Sequence, residues 1–294
     1  MNQIELYQAH VERNSKLALP IQATDYLSES MRYSVLDGGK RIRAILVYAA
    51  GAALKIDVEL LDPSAAAIEM LHAYSLVHDD LPCMADDNLR RGKPTTHIAY
   101  GEATAVLAGD ALQTSAFELL STPINGICAE NQLKILNLLA TASGANGMVK
   151  GQAIDLAAVG RQIDENELEV MHLNKTGALI KACVLMASYC TDISKSEIAD
   201  RQRTNLADYA KAIGLAFQVQ DDILDIQSDT ETLGKPQGAD IAAGKPTYPS
   251  ILGMDAAKDK LFKLHEQAIL SLRDFDEEAD LLREIADFIV KRVA

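Results

Sequence analysis

Two clusters of aspartates end apolar segments that favour helix. The first contains Asp79, Asp80, Asp86 and Asp87, and the second contains Asp221, Asp222 and Asp225. Burying an unpaired carboxylate costs several kcal/mol, so such clusters indicate deep clefts or bound metal. Oxygen ligands without Cys or His suit Mg²⁺, which keeps several waters and shares its coordination with phosphate. Magnesium and a diphosphate substrate would explain both clusters.

The second cluster has helical spacing. Gln218, Asp221, Asp222 and Asp225 stand at i, i+3, i+4 and i+7, which places them on one stripe of a helix whose other faces are apolar. This pattern predicts a cavity wall that holds cations. An ordinary solvated acidic face is the alternative.

The first cluster ends a helix and continues into a loop. His72, Ser75 and Asp79 share one stripe, and Asp80 lies about 100° further round the helix. Pro82 must break that helix, so Asp86 is expected in a loop.

Basic residues follow both the loop and a glycine pair. One island contains Arg90, Arg91 and Lys93, and another contains Lys40, Arg41 and Arg43 after Gly38 and Gly39. Guanidinium groups bind phosphate oxygens bidentately, so acid followed closely by base suits a metal-bound diphosphate. Surface salt bridges are the alternative. The spacing of a Walker A loop is missing.

The elements that position these residues are helices. Apolar residues recur at three- and four-residue spacing in Ala65–Val77, Ala103–Leu120, Gln132–Ser143, Leu168–Ser188, Asn205–Ile226 and Ala279–Val293. Helix starts are indicated at Pro63-Ser64, at Asp164 with Glu167, and at Pro249-Ser250. Strand patterns are almost absent. The sequence therefore predicts an all-α fold, a single domain over residues 1–294 with about ten helices around a central cavity.

Composition narrows the class of protein. A net charge of −14 argues against binding to nucleic acid or anionic lipid. No signal peptide and no run of membrane-span length is found, so we expect a cytoplasmic protein without a membrane anchor. The cysteines Cys83, Cys128, Cys183 and Cys190 form no CxxC pair, and we expect core thiols rather than a zinc site or disulfides.

Together these motifs resemble a known family, the short-chain trans-prenyltransferases (polyprenyl diphosphate synthases), and within it the bacterial farnesyl diphosphate synthases. The matching segments run nearly end to end: 37–43, Leu71–Pro82, Leu89–Thr95, Lys175–Ile180, Phe217–Asp225, Leu233–Lys235 and Gly244–Pro249. The resemblance implies a homodimer that joins isopentenyl diphosphate to allylic diphosphates by Mg²⁺-assisted ionisation, with three ions per active site.

The resemblance also implies residue roles. For isopentenyl diphosphate these are Lys40, Arg43, His72 and Arg91, and for the allylic diphosphate Arg90, Lys175, Lys235 and Lys245. Magnesium would be held by Asp79, Asp80, Asp86, Asp221, Asp222 and Asp225. Thr176 and Gln218 would orient the substrates. Tyr74 with Ser75 would limit the hydrocarbon tail, which favours a C15 product over a geranylgeranyl (C20) product, and a geranyl or geranylgeranyl synthase is the alternative.

One position departs from the family pattern. The third acid of the first motif falls on Ala85, which cannot bind a cation, and Asp86 stands one residue later. Asn88 also replaces a usual acid, and Ala44 replaces a frequent proline. We therefore expect weaker magnesium affinity or turnover than in a typical member. A paralogue that binds prenyl diphosphates without catalysis remains an alternative.

Overall fold

The computed structural model describes residues 3–19, 25–36, 38–191, 197–227 and 244–292. Over these ranges the chain folds into fourteen α-helices. They are α1 Gln3–Ala18, α2 Tyr26–Leu36, α3 Ile42–Ala53, α4 Val58–Asp79, α5 Thr96–Tyr100, α6 Glu102–Ser121, α7 Ala129–Ser143, α8 Met148–Ala158, α9 Glu165–His172, α10 Ala178–Ala187, α11 Glu197–Gln227, α12 Tyr248–Leu252, α13 Met254–Ser271 and α14 Asp280–Lys291.

Other regular structure is sparse in the described ranges. Leu173–Gly177 forms a π-helical turn between α9 and α10, and Glu277–Ala279 forms a 3-10 turn. Two short antiparallel strands, β1 Leu89–Arg90 and β2 Lys93–Pro94, make a hairpin. The predicted all-α fold class is confirmed, and the extent of the domain stays a prediction.

The centre of the bundle is formed by α3 and α4. Residues 44–51 of α3 are all buried, and Gly51 lets α3 approach α4 because a Cβ there would lie 2.2 Å from the Leu61 side chain. On α4, Ile68 and Leu71 are fully buried. Burying such a side chain stabilises the fold by about 1.5–3 kcal/mol. The packing holds the end of α4, with its aspartates, in a fixed place.

The second acidic helix, α11, is fixed from another side. It packs against α13 and α10, and α10 in turn packs against α3. The layers α4, α3, α10 and α11 therefore connect the two acidic helices through a continuous core. Gly214 of α11 meets Gly177 closely, since a Cβ on Gly214 would lie 3.0 Å from the Gly177 Cα.

Three predicted helix boundaries differ from the structure. The helix predicted from Pro63 begins at Val58 after Asp57, because buried residues on both sides of Pro63 offset its missing N–H. Leu168–Ser188 is divided by the π-helical turn. The last predicted start, at Pro249-Ser250, lies one residue late, since Thr247 caps α12 and the helix begins at Tyr248. The capping box of Asp164 with Glu167 is confirmed.

The cysteine prediction is half wrong. Cys183 and Cys190 are buried, whereas Cys83 and Cys128 are exposed. Cys83 lies in the loop after α4 and Cys128 is the residue before α7, and such positions face solvent although their neighbours are apolar. Among the described helices, none combines the length and apolar character needed to cross a bilayer.

Candidate active site

The two aspartates at the end of α4 face different partners. Asp79 accepts a hydrogen bond from Nε2 of Gln152 on α8. Asp80 is buried and accepts from Nε of Arg90 at 2.9 Å on each carboxylate oxygen. Burial raises the pKa of Asp80, and the ion pair with Arg90 opposes that rise. Asp79 therefore borders the cavity, while Asp80 fixes Arg90.

The loop after α4 separates Ala85 from Asp86. The backbone N–H of Ala85 donates to the Asp79 carbonyl at 2.8 Å, so residue 85 is tied directly to the end of α4. Asp86 donates to the Leu81 carbonyl, has φ 56° and is exposed. Residue 85 is therefore hydrogen-bonded directly to Asp79, whereas residue 86 is hydrogen-bonded to Leu81.

A glycine pair opens the first basic region. Gly38 and Gly39 have φ 90° and 105°, values that favour glycine. Nη1 of Arg91 donates to the Gly38 carbonyl at 2.7 Å. A Cβ on Gly39 would lie 2.6 Å from the Arg91 guanidinium, so Gly39 is what lets Arg91 reach this loop.

Arg41 turns into the core rather than toward a phosphate. Its Nη1 lies 3.0 Å from Oε2 of Glu69, and its Nη2 donates to the Val35 carbonyl. The other Glu69 oxygen accepts from the backbone N–H of Ala44 at 3.3 Å, in the first turn of α3. Glu69 on α4 therefore holds both the loop and the start of α3.

Arg43 and His72 meet across α3 and α4. Nη1 of Arg43 lies 3.2 Å from Nε2 of His72. Burial lowers the pKa of His72 well below its ordinary value, and the positive charges of Arg43 and Arg91 add to that effect. His72 is therefore neutral at neutral pH. Burial also lowers the pKa of Arg91. Arg43 and Arg91 therefore lie close together, and an anionic ligand would stabilise their positive charges.

Gln218 and Asp221 of α11 form a hydrogen-bonded row with Thr176 of the π-helical turn. The Thr176 hydroxyl donates to Oε1 of Gln218, and Nε2 of Gln218 donates to Asp221 at 3.3 Å. The other Asp221 oxygen accepts from Nη2 of Arg292 at 2.6 Å. Arg292 also lies 4.0 Å over the ring of Phe217. The end of the chain thus contacts the second acidic cluster.

The remaining aspartates of that cluster are buried. Asp222 is 6% exposed and accepts from the backbone N–H of Tyr248 at 2.8 Å. Its Oδ2 also lies 3.9 Å from the His172 ring, which stacks on Tyr248. Asp225 is 1% exposed. Asp222 therefore anchors the start of α12, just after Lys245.

The π-helical turn carries the third part of the site. Nζ of Lys175 lies 2.6 Å from the buried Asp155 on α8. A Cβ on Gly151 would lie 2.0 Å from the Lys175 backbone nitrogen, so glycine is needed where α8 meets the turn. π-helical turns occur frequently at functional sites because they shift side chains out of helical register. Here the turn places Lys175 and Thr176 side by side on the cavity wall.

Two cavities meet at the centre of these elements. One of about 710 Å³ is bordered by the Gly38–Arg43 loop, Arg91 and the end of the chain. The other, of about 580 Å³, has a mainly apolar wall that includes Tyr74 and reaches Asp79 and Lys175. Arg43 and His72 line both. A basic pocket and an apolar pocket therefore open onto the same two side chains.

The donor set fits magnesium. The candidate ligands offer carboxylate oxygens on α4 and α11, with cations suited to phosphate nearby. Within the described ranges, no three His, Cys, Asp or Glu side chains form a complete metal site. Magnesium takes part of its coordination from water and from a substrate diphosphate, so the half-buried Asp79 and Asp221 would supply only some of its ligands.

Three residues at the site were missed from sequence. Gln152 and Asp155 on α8 hold Asp79 and Lys175, and Glu69 on α4 holds Arg41. Only the spacing of Gln152 and Asp155, three residues apart, could have indicated a shared helical face. The predicted Lys235, with the Leu233–Lys235 segment, lies outside the described residues.

Comparisons with known proteins agree on one family. The family described as "Polyprenyl synthetase" matches residues 24–288. The chain is 48% identical over 266 residues to farnesyl diphosphate synthase of Haemophilus influenzae, covering 90% of this chain and 88% of that protein. It is 42% identical to chloroplastic geranylgeranyl pyrophosphate synthase of Catharanthus roseus, covering 90% and 74%. An FPP/GFPP synthase structure from Zymomonas mobilis matches with TM-score 0.85 and 40% identity, over 98% of this chain and 97% of that one.

Proposed function

The chain belongs to the polyprenyl synthetase family, and on that premise we propose that it is a prenyltransferase, a farnesyl diphosphate synthase. It joins isopentenyl diphosphate head-to-tail (1'-4) to dimethylallyl and then geranyl diphosphate. One observation carries the proposal. The ends of the two acidic helices are linked through α8 and the π-helical turn, from Gln152 at Asp79 to Gln218 at Asp221.

The basic pocket suits isopentenyl diphosphate. Arg43 and Arg91 supply guanidinium groups, Lys40 lies at the rim, and neutral His72 lies beside Arg43. Charge-assisted hydrogen bonds from guanidinium to phosphate are the strong kind, and the fork geometry fixes the orientation of the ligand. This arrangement holds the alkene end of the substrate toward the apolar cavity.

The allylic diphosphate lies on the other side of Arg43. Lys175 and Arg90 bind its oxygens, with Lys245 and Lys235 expected to add charge. Asp79 and Asp221 would hold magnesium, three ions per site as the family pattern implies, with Asp80, Asp86, Asp222 and Asp225 as further expected ligands. When bound, magnesium neutralises the negative charge that develops on the leaving diphosphate.

The residues of the chain then act by position and charge. The allylic C–O bond breaks with its electron pair on the diphosphate, the alkene attacks the allylic carbon, and a proton passes to the released diphosphate. Lys175 and Arg90 stabilise the developing negative charge, and Thr176 with Gln218 orients the reacting carbons. The apolar cavity keeps water away from the cation.

Tyr74 supports a C15 product. It is 7% exposed and lines the apolar cavity below Asp79, so its ring limits the space for the hydrocarbon tail. A geranylgeranyl synthase is the second candidate, favoured by the similarity to the Catharanthus roseus enzyme. A non-catalytic paralogue is supported only by Ala85.

The decisive experiment measures product formation. Purified protein is incubated with labelled isopentenyl diphosphate, geranyl diphosphate and magnesium, and the products are dephosphorylated and sized. We expect a C15 alcohol that disappears when EDTA is added. A C20 product would support the second candidate, and absence of any product over a wide magnesium range would support the paralogue.

We also propose a cytoplasmic homodimer. Ile98 on α5 and Leu107 on α6 are apolar yet 52% and 58% exposed, which suits a face covered by a second copy. Light scattering should give twice the mass of the chain, and Leu107→Glu should reduce it to that of one chain. An unchanged mass in Leu107→Glu would place the interface elsewhere.

A further inference from the structure

Tyr74 and His78 form one packed pair on the cavity side of α4. They stand four residues apart, which puts them on the same face of the helix. Their ring centroids are 5.3 Å apart with an interplanar angle of 83°, an edge-to-face contact. Both line the apolar cavity of about 580 Å³. The His78 imidazole is therefore in direct contact with the Tyr74 ring, and Gln113 on α6 adds a hydrogen bond to the Tyr74 hydroxyl.

The His78 imidazole is held from the opposite side by α6. Its Nε2 lies 3.0 Å from the Val106 carbonyl and 4.0 Å from Asp110. It fits there because residue 109 is glycine. A Cβ on Gly109 would lie 2.1 Å from Nε2, and the three atoms nearest to that Cβ all belong to His78. Gly109 thus provides a recess in α6 whose occupant is the imidazole.

We infer that His78 is a positioning residue that determines product length, because it braces Tyr74 from the recess at Gly109. The inference rests on the proposed function, since it concerns the tail of the growing allylic product. His78 binds no diphosphate and contacts no reacting atom in this role. It acts by keeping the Tyr74 ring across the cavity, with α6 as the fixed support.

The two sides of the brace predict opposite changes in product. Removing the imidazole by His78→Ala leaves space beside Tyr74, so the ring can turn aside and the cavity becomes deeper. Gly109→Ala fills the recess and pushes the imidazole toward Tyr74 and the cavity, which becomes shallower. One methylene in an apolar pocket is worth about 1–3 kcal/mol, so a modest change in depth alters product ratios strongly.

The experiment compares product lengths rather than rates. Wild type, His78→Ala and Gly109→Ala are incubated with dimethylallyl diphosphate, isopentenyl diphosphate and magnesium, and C10, C15 and C20 alcohols are quantified. We expect a several-fold higher C20 to C15 ratio for His78→Ala and a several-fold higher C10 to C15 ratio for Gly109→Ala. His265→Ala, which removes a half-buried histidine paired with Asp287, should keep the wild-type ratios.

The double variant provides the sharpest test. Without the imidazole, a methyl group at 109 loses all three of its nearest neighbours, so His78→Ala with Gly109→Ala should resemble His78→Ala and not Gly109→Ala. A ratio can be measured even when turnover or the melting temperature falls, and Gly109→Ala tests the brace if His78→Ala does not fold. Wild-type ratios in both single variants, or independent effects in the double variant, would overturn the inference. A wild-type protein that makes no product would instead contradict the proposed function.

Discussion

The Arg292 guanidinium lies 2.6 Å from the Asp221 carboxylate, so a cation from the end of the chain occupies one oxygen of a proposed magnesium ligand. The Arg292 side chain is 7% exposed, and it also donates to the Phe217 carbonyl at 2.9 Å. Gln220 in turn donates to the Arg292 carbonyl. The end of the chain and the second acidic cluster therefore form one unit. Magnesium bound at Asp221 as proposed would compete with Arg292 for the same carboxylate.

Arg292→Ala should lower the magnesium concentration that gives half-saturation. The side chain of Asp221 is 42% exposed, so loss of the ion pair corresponds to about 1 kcal/mol, or roughly a fivefold change. Calorimetric titration of magnesium in the presence of inorganic diphosphate measures it without turnover. Lys291→Ala, which removes the neighbouring exposed cation paired with Asp287, is the control. Weaker magnesium binding in Arg292→Ala would show that Arg292 assists the ion.

Asp155→Asn should impair the protein only through Lys175. The carboxylate holds the ammonium at 2.6 Å, so its loss lets Lys175 leave the cavity wall and raises the KM for the allylic diphosphate. The KM for isopentenyl diphosphate should stay unchanged, because its pocket lies on the other side of Arg43. Steady-state kinetics of Asp155→Asn, Lys175→Ala and the double variant test the coupling. Additive losses in the double variant would show that Asp155 acts elsewhere.

Ala85→Asp should raise activity at limiting magnesium. The backbone N–H of residue 85 donates to the Asp79 carbonyl, so an acid there begins beside the first cluster, whereas the N–H of Asp86 donates to the Leu81 carbonyl. An added ligand can contribute roughly a tenfold change in rate, equivalent to about 1.4 kcal/mol. Ala85→Asn matches the size without the charge. Equal magnesium dependence of wild type and Ala85→Asp would indicate that Asp86 already acts as the third magnesium ligand of this motif.

Helical spacing was enough to anticipate where the carboxylates lie along α4 and α11, because side chains at i, i+3 and i+4 share a face whatever the helix packs against. It was not enough to anticipate orientation around the axis. Asp222 belongs to the predicted stripe but bonds the backbone of Tyr248, since α12 packs there. A contact between elements far apart in the chain leaves no trace in local spacing.

The residues that hold the site were invisible for the same reason. Glu69 lies in an apolar run and gives no pattern until α3 is packed against α4. The π-helical turn at Leu173–Gly177 has ordinary helical periodicity, and its close contact with Gly151 comes from a different part of the chain. Motif residues were predictable from their chemistry, and their supports only from packing.

Glu69→Gln should destabilise the fold strongly. The Glu69 and Arg41 side chains are 3% and 9% exposed, and breaking a buried ion pair on one side costs about 3–5 kcal/mol. Chemical denaturation measures the free energy of unfolding. Glu165→Gln, which removes a 43% exposed partner of Lys260, should cost about 1 kcal/mol or less. Equal losses of unfolding free energy in the two variants would mean that the Glu69–Arg41 pair stabilises the fold no more than an exposed ion pair does. The KM for isopentenyl diphosphate should also rise in Glu69→Gln, because the Gly38–Arg43 loop is released.

The free energy of unfolding should fall as the pH drops below about 6.5, in part because of His72. Burial and the charges of Arg43 and Arg91 keep the pKa of His72 well below that value in the folded protein. Below the ordinary histidine pKa, the His72 imidazole is therefore protonated in the unfolded chain but not in the folded protein. The contribution is absent above the unfolded pKa and reaches about 1.4 kcal/mol one pH unit below it. The contribution can be isolated by denaturant unfolding of wild type and His72→Gln, since the variant retains every other titrating group. Measurements from about pH 7.5 to about pH 5.5 span the ordinary histidine pKa of roughly 6.5. The curve of His72→Gln should be flatter by about that amount, and parallel curves would show that His72 takes up its proton in the folded state as well.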